Sequence, residues 1–147
     1  MPTTGLYDLE RFVAAQDAGG AYVQAVKELR QGHKVSHWVW FVFPQVAGLG
    51  RSPASQRFAI SSLEEAKAYL RHAVLGPRLV ECAAILSEIN DRSAEEILGP
   101  IDALKLRSSM TLFLRADPGR TVFGQVLDRY FDGRTDPATD ERLRPAP

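Results

Sequence analysis

The chain has 147 residues, 45% of them hydrophobic and 24% charged, and 18 Lys and Arg balance 18 Asp and Glu. That length and composition suit one domain with its own apolar core and exclude a disordered, collagenous or coiled-coil chain. A formal net charge of zero speaks against a general nucleic-acid binder, and the single Cys82 leaves no intrachain disulfide to form.

Leu9, Phe12, Val13 and Gln16 recur at the i, i+3, i+4, i+7 spacing of one helix face, and Gly19-Gly20 ends the run. Tyr22, Ala25, Val26 and Leu29 repeat that spacing, with Gly32 where a left-handed C-terminal residue belongs. Trp38-Val39-Trp40-Phe41-Val42-Phe43 is apolar on every side and stops at Pro44. Its aromatic and β-branched content suits a strand, but only Arg57-Phe58-Ala59-Ile60 lies near enough to pair with it. A buried, mostly helical segment is therefore expected, followed by a loop from Ala47 to Gln56. Ser62-Leu63-Glu64-Glu65 and Ser93-Ala94-Glu95-Glu96 both match the reciprocal capping box that opens a helix. Between them, Gly76-Pro77 starts another helix, with proline in the first turn where its missing N–H costs nothing. Gly99-Pro100 stops the short Ser93 helix, and Ile101 to Arg115 is the longest candidate. Phe123, Val126, Leu127 and Tyr130 mark a last helix ending near Gly133. Residues 134–147 are polar and proline-bearing, which predicts a loosely held tail. The expected fold is mostly α. It is a single compact domain over residues 1–147, with about seven helices around an ordered core of about 6–133 and room for one short strand pair.

His37-Trp38-Val39-Trp40-Phe41-Val42-Phe43-Pro44-Gln45, followed by Gly48-Leu49-Gly50 and Ser52, resembles the signature of the domain-of-unknown-function family numbered 1810. Lys105-Leu106-Arg107-Ser108-Ser109-Met110-Thr111-Leu112-Phe113 resembles a second signature of that family. His72-Ala73-Val74-Leu75-Gly76-Pro77-Arg78-Leu79 resembles a third, although the family pattern has proline where Ala73 stands and often an aromatic where Leu98 stands. The match runs from about Phe12 to Asp136. It implies a small, bacterial-type, mostly helical domain without an established activity. Chains of this kind are sometimes labelled calpastatin, but calpastatin-like inhibitory segments are disordered and this sequence builds a core.

Polar residues crowd both ends of the aromatic run: His33, Lys34, Ser36 and His37 before it, Gln45 and Arg51 after it. Such a run is first of all a central core element, and with polar groups at its mouth it also suits a small-molecule pocket. On the helix from Ile101 to Arg115, Asp102, Lys105, Ser108 and Ser109 share one arc, apart from Ala103, Leu106, Met110, Phe113 and Leu114. Lys105 with Ser108, Ser109 and Thr111 supplies a point charge and several donors to an anion, or else a solvated stripe in which Asp102 pairs with Lys105. His72 and Arg78 frame the corner before the Pro77 helix. Arg78 either clamps an anion at that first turn or pairs with a carboxylate such as Glu81.

No metal site is expected. His33 and His37 have i, i+4 spacing, but no HExxH pattern or cysteine pair accompanies them. Cys82, in an apolar helix, reads as a core thiol. No GxSxG elbow, P-loop or dinucleotide fingerprint is present, and no cofactor is expected. The opening Met1-Pro2-Thr3-Thr4-Gly5 lacks a signal-peptide pattern, and the longest apolar run is far short of the roughly 20 residues of a membrane span. The expectation is a cytoplasmic protein whose partner is neither nucleic acid nor membrane.

The expected function is to bind, or transform, an anionic, phosphate-bearing or nucleotide-like small molecule between the Trp-rich segment and the Lys105 helix. Lys34, Arg51, Arg78 and Lys105 would supply charge, Trp38 or Trp40 a stacking wall, and Ser108, Ser109 and Thr111 hydrogen bonds. Gln45, Ser52 and His72 complete the expected ligand contacts. In an enzyme, His37 is the first general acid/base to test and Asp102 the first carboxylate. The alternative is a non-catalytic module that docks a partner protein through an exposed aromatic patch, and a third reading is a self-associating domain.

Overall fold

The computed structural model describes residues 7–144. Among them, the chain forms α1 (Glu10–Asp17), α2 (Ala21–Gln31), α3 (Val39–Val42), α4 (Pro53–Arg57) and α5 (Leu63–Arg71). It continues through α6 (Leu75–Ser87), α7 (Ala94–Leu98), α8 (Pro100–Ala116), α9 (Thr121–Phe131) and α10 (Pro137–Leu143). The fold is mostly α, and no helix among the described residues is long and apolar enough to cross a membrane.

Gly19 and Gly20, both at positive φ, turn the chain between α1 and α2 through a 3-10 step. The aromatic run is helical only over one turn. The amides of Val42 and Phe43 reach back to Trp38 and Val39, and Phe43 then leaves in an extended direction. Ile60 does pair with this segment, but two residues past the run. Its amide donates to the Gln45 carbonyl at 2.8 Å and its carbonyl accepts from Ala47, making one parallel bridge with Val46.

The two serine starts differ. Ser93 and Glu96 form the reciprocal capping box. At Ser62 only half of it exists: the hydroxyl accepts the Glu65 amide, but the Glu65 carboxylate turns to the Ser61 amide and hydroxyl and to Arg11. Arg11 also donates to the Arg57 and Ala59 carbonyls, so this buried carboxylate ties α1 to the start of α5. Helix α6 begins at Leu75, one residue before Gly76-Pro77. A Cβ on the buried Gly76 would stand 2.1 Å from the Leu70 carbonyl oxygen, so the close approach of α5 and α6 requires glycine.

Helix α8 is the central element, packed against α5, α7, α9 and α10, while α6 packs on α2, α5 and α9. A relay of aromatic rings runs Phe58–Phe12–Tyr69–Phe113–Phe123, with successive centroids 5.8, 5.1, 5.3 and 5.9 Å apart. Two expectations are corrected here. The loop before Phe58 contains α4, started by Pro53 and by the Ser52 hydroxyl, which accepts the Ser55 amide. The tail is not loose from residue 134 to 144. Asp136 accepts the Thr139 amide and hydroxyl to start α10, Arg115 holds Asp140 with two hydrogen bonds, and Arg107 donates to the Arg134 and Thr135 carbonyls. The same Asp136-Pro137 pair that looks like tail composition is a helix start. Residues 145–147 lie outside the described residues.

Candidate functional site

Five donors converge on the carboxylate of Glu28, buried on α2. They are the Gln24 amide, the backbone amides of Val35 and Ser36, the Ser36 hydroxyl and the Trp38 indole N–H, all within 2.6–3.0 Å. Burial by itself would raise the Glu28 pKa, but the hydrogen bonds outweigh it and bring the group down to about 2. The loop from His33 to Trp38 is thereby fixed on α2.

Lys34 follows from that fixation. Its amide donates to the Ile97 carbonyl, and its side chain, 8% exposed, reaches Asp102 Oδ2 at 2.9 Å. The other oxygen of Asp102 meets Lys105 Nζ at 3.3 Å. Each ammonium also lies over an indole: Lys34 is 5.5 Å from the Trp38 ring centre and Lys105 is 4.6 Å from that of Trp40. One carboxylate thus orients two lysines against two tryptophans. The Trp40 indole N–H is buried and has no hydrogen-bond partner among the described residues.

Lys105 lines a groove of about 330 Å³. One wall is Gln45, Leu49, Gly50 and Ser55; the other is Ile101, Leu104, Lys105, Arg107 and Ser108 of α8; Asp136 and Ala138 close one end. Residues 101, 104, 105 and 108 follow the i, i+3, i+4, i+7 stripe of a single helix face. Ser108 donates to Asp136 at 2.7 Å, joining α8 to the start of α10. Two of the five Arg107 N–H groups donate to the Arg134 and Thr135 carbonyls. The groove therefore presents two cations, one carboxylate, hydroxyls and a carboxamide beside Leu49, Ile101, Leu104 and Ala138, with Ile101 and Leu104 70% and 63% exposed.

The Trp-rich segment and the Lys105 helix do meet in space. Gln45, Lys105 and Ser108 line the groove, and Lys34, Asp102 and Trp40 stand next to Lys105. The remaining expected residues lie elsewhere, each for a visible reason. Trp38 is 1% exposed and its N–H is committed to Glu28, so it is no stacking wall. Ser109 and Thr111 are interior: Thr111 donates to the Arg107 carbonyl and accepts the Asp136 amide, while the Ser109 hydroxyl has no partner among the described residues. Ser52 caps α4. His72 accepts the Val74 and Leu75 amides at Nδ1, which assigns its proton to Nε2, 2.9 Å from Glu10. Arg78 pairs with Asp17 and Gln16 and covers the Tyr22 ring. Arg51 and His37 are exposed and outside the groove lining.

Burial pushes the Cys82 thiol up to about 12, consistent with a core residue. Among the described residues no three His, Cys, Asp or Glu side chains gather as metal ligands would. Leu49, Ser55, Ile101, Leu104, Arg107, Asp136 and Ala138 line the groove without having been expected there. Of these, Leu49 and Arg107 stand within the signature segments, and Asp136-Pro137 has the composition of a helix start. With Trp38, Val39, Val42 and Phe43 buried, the aromatic segment offers no broad exposed patch to a protein partner.

A search of the curated proteins found no match. Among solved structures, the crystal structure at 1.38 Å of the conserved hypothetical protein Rv1873 from Mycobacterium tuberculosis is 52% identical to this chain. The two align with a TM-score of 0.92 over 95% of this chain and 98% of that one. The family model described as protein of unknown function (DUF1810) matches residues 6–143. That match spans nearly the whole sequence, and the chain belongs to the DUF1810 family.

Proposed function

We propose that the groove between the Gln45–Ser55 segment and α8 binds an anionic small molecule of the phosphate-bearing class, with Lys105 as its principal charged contact. The observation that carries this reading is the setting of Lys105. Asp102 and the Trp40 face hold its ammonium at the wall of a concave site, beside Arg107, Ser108 and Gln45. A preoriented ammonium loses little freedom on meeting an anion, and the remaining Arg107 N–H groups and the Gln45 amide can donate to the other acceptor oxygens. The groove's volume falls at the small end of ligand pockets.

Isothermal titration against a panel of nucleotides and sugar phosphates tests the reading. At least one should bind, and Lys105→Ala should weaken it by about tenfold or more, the usual effect of removing a charge-assisted hydrogen bond. Asp102 keeps Lys34 as a partner in that variant, so folding should survive. Silence from the whole panel, or affinity indifferent to Lys105→Ala, overturns the proposal.

A further inference from the structure

We infer that the ligand of this groove is a small amphiphilic anion: one phosphate or carboxylate head group on an apolar body about one ring in size. The inference rests on the groove being the binding site proposed above, and two observations narrow the class. The first is charge. Lys34, Lys105 and Arg107 stand at or directly behind the wall with only Asp102 and Asp136 as carboxylates, which leaves one positive charge over. Among the described residues Arg107 has no carboxylate partner; two of its donors go to the Arg134 and Thr135 carbonyls. Arg51 and Arg142 are exposed outside the lining, where solvent and salt screen them. A single excess charge matches one head group and does not compensate a chain of phosphates.

The second observation is apolar surface. Ile101 and Leu104, one turn apart on α8, are the exposed large aliphatic residues that border Lys105, and Leu49 faces the same space. Aliphatic side chains left open to water beside a preoriented cation gain from an apolar body carried by the anion. A groove of about 330 Å³ accommodates a head group with one ring and not a dinucleotide.

Titration calorimetry with phenyl phosphate, benzoate, inorganic phosphate and tripolyphosphate tests this. At least one of the two aromatic anions should bind about tenfold tighter than inorganic phosphate, the effect of covering roughly half a ring, and tripolyphosphate should show no such advantage. Leu104→Ala, at an exposed position that folding does not depend on, should cut the aromatic preference over inorganic phosphate to under about threefold. If inorganic phosphate matches the aromatic anions, or tripolyphosphate binds tightest, the amphiphile is overturned and the anion groove stands. Silence from all four overturns the amphiphile, and silence from the nucleotide and sugar-phosphate panel as well overturns the anion groove.

Discussion

Glu28 accepts five hydrogen bonds while 1% exposed and, together with the Lys34 amide on the Ile97 carbonyl, fixes the loop that delivers Lys34 to Asp102. Glu28→Gln puts an N–H2 donor against a ring of donors, which should cost about 2 kcal/mol in urea unfolding at pH 7. Its folded pKa of about 2 is depressed from the ordinary 4.5. The stability it contributes is therefore complete above about pH 4.5 and is lost as pH falls toward 2. The gap between wild type and Glu28→Gln should accordingly narrow between pH 7 and pH 3; a constant gap would mean the carboxylate charge is not what matters. This hub left no mark in the sequence. Two of its five donors are backbone amides seven and eight residues downstream, and no side-chain spacing encodes those.

Between α5 and α6, packing is governed by the absence of a side chain. Gly76→Ala forces a methyl into the Leu70 carbonyl, so the helices must part, at a cost of about 3 kcal/mol in the same assay. Gly124→Ala is the internal control. Its Cβ would meet only Leu114 Cδ1, at an ordinary 3.9 Å, and should gain up to about 1 kcal/mol from helix propensity. Equal effects at the two sites would refute the close-approach explanation. At this scale much was legible, because caps and periodicity act locally: the Gly19-Gly20 corner, the Ser93 box and the extent of α8 all follow from neighbours within a turn. What misled was local signal overridden from a distance. Arg11 draws Glu65 away from Ser62, and Ser108, Arg107 and Arg115 of α8, through Asp136, Asp140 and the Arg134 and Thr135 carbonyls, hold a segment whose composition looks like a tail. The groove was legible only as two facing regions. Which α8 residues line it depends on how α5, α7, α9 and α10 set the rotation of that helix, and Ser109 and Thr111 consequently turned inward.

Across the whole molecule the aromatic relay joins α1, α5, α8 and α9 into one core, with Trp38 buried in the same cluster. A single core should unfold as a unit, so tryptophan fluorescence and far-UV circular dichroism should trace the same urea transition; an earlier loss of helix than of tryptophan signal would show that part of the bundle melts alone. The groove draws on residues 45–55, 101–108 and 136–138. During synthesis, α1 to α9 can emerge and collapse before Asp136 and Ala138 have cleared the ribosome, and until then one end of the groove has no wall. A ligand that needs that wall therefore cannot template the folding of the helices that emerge before it.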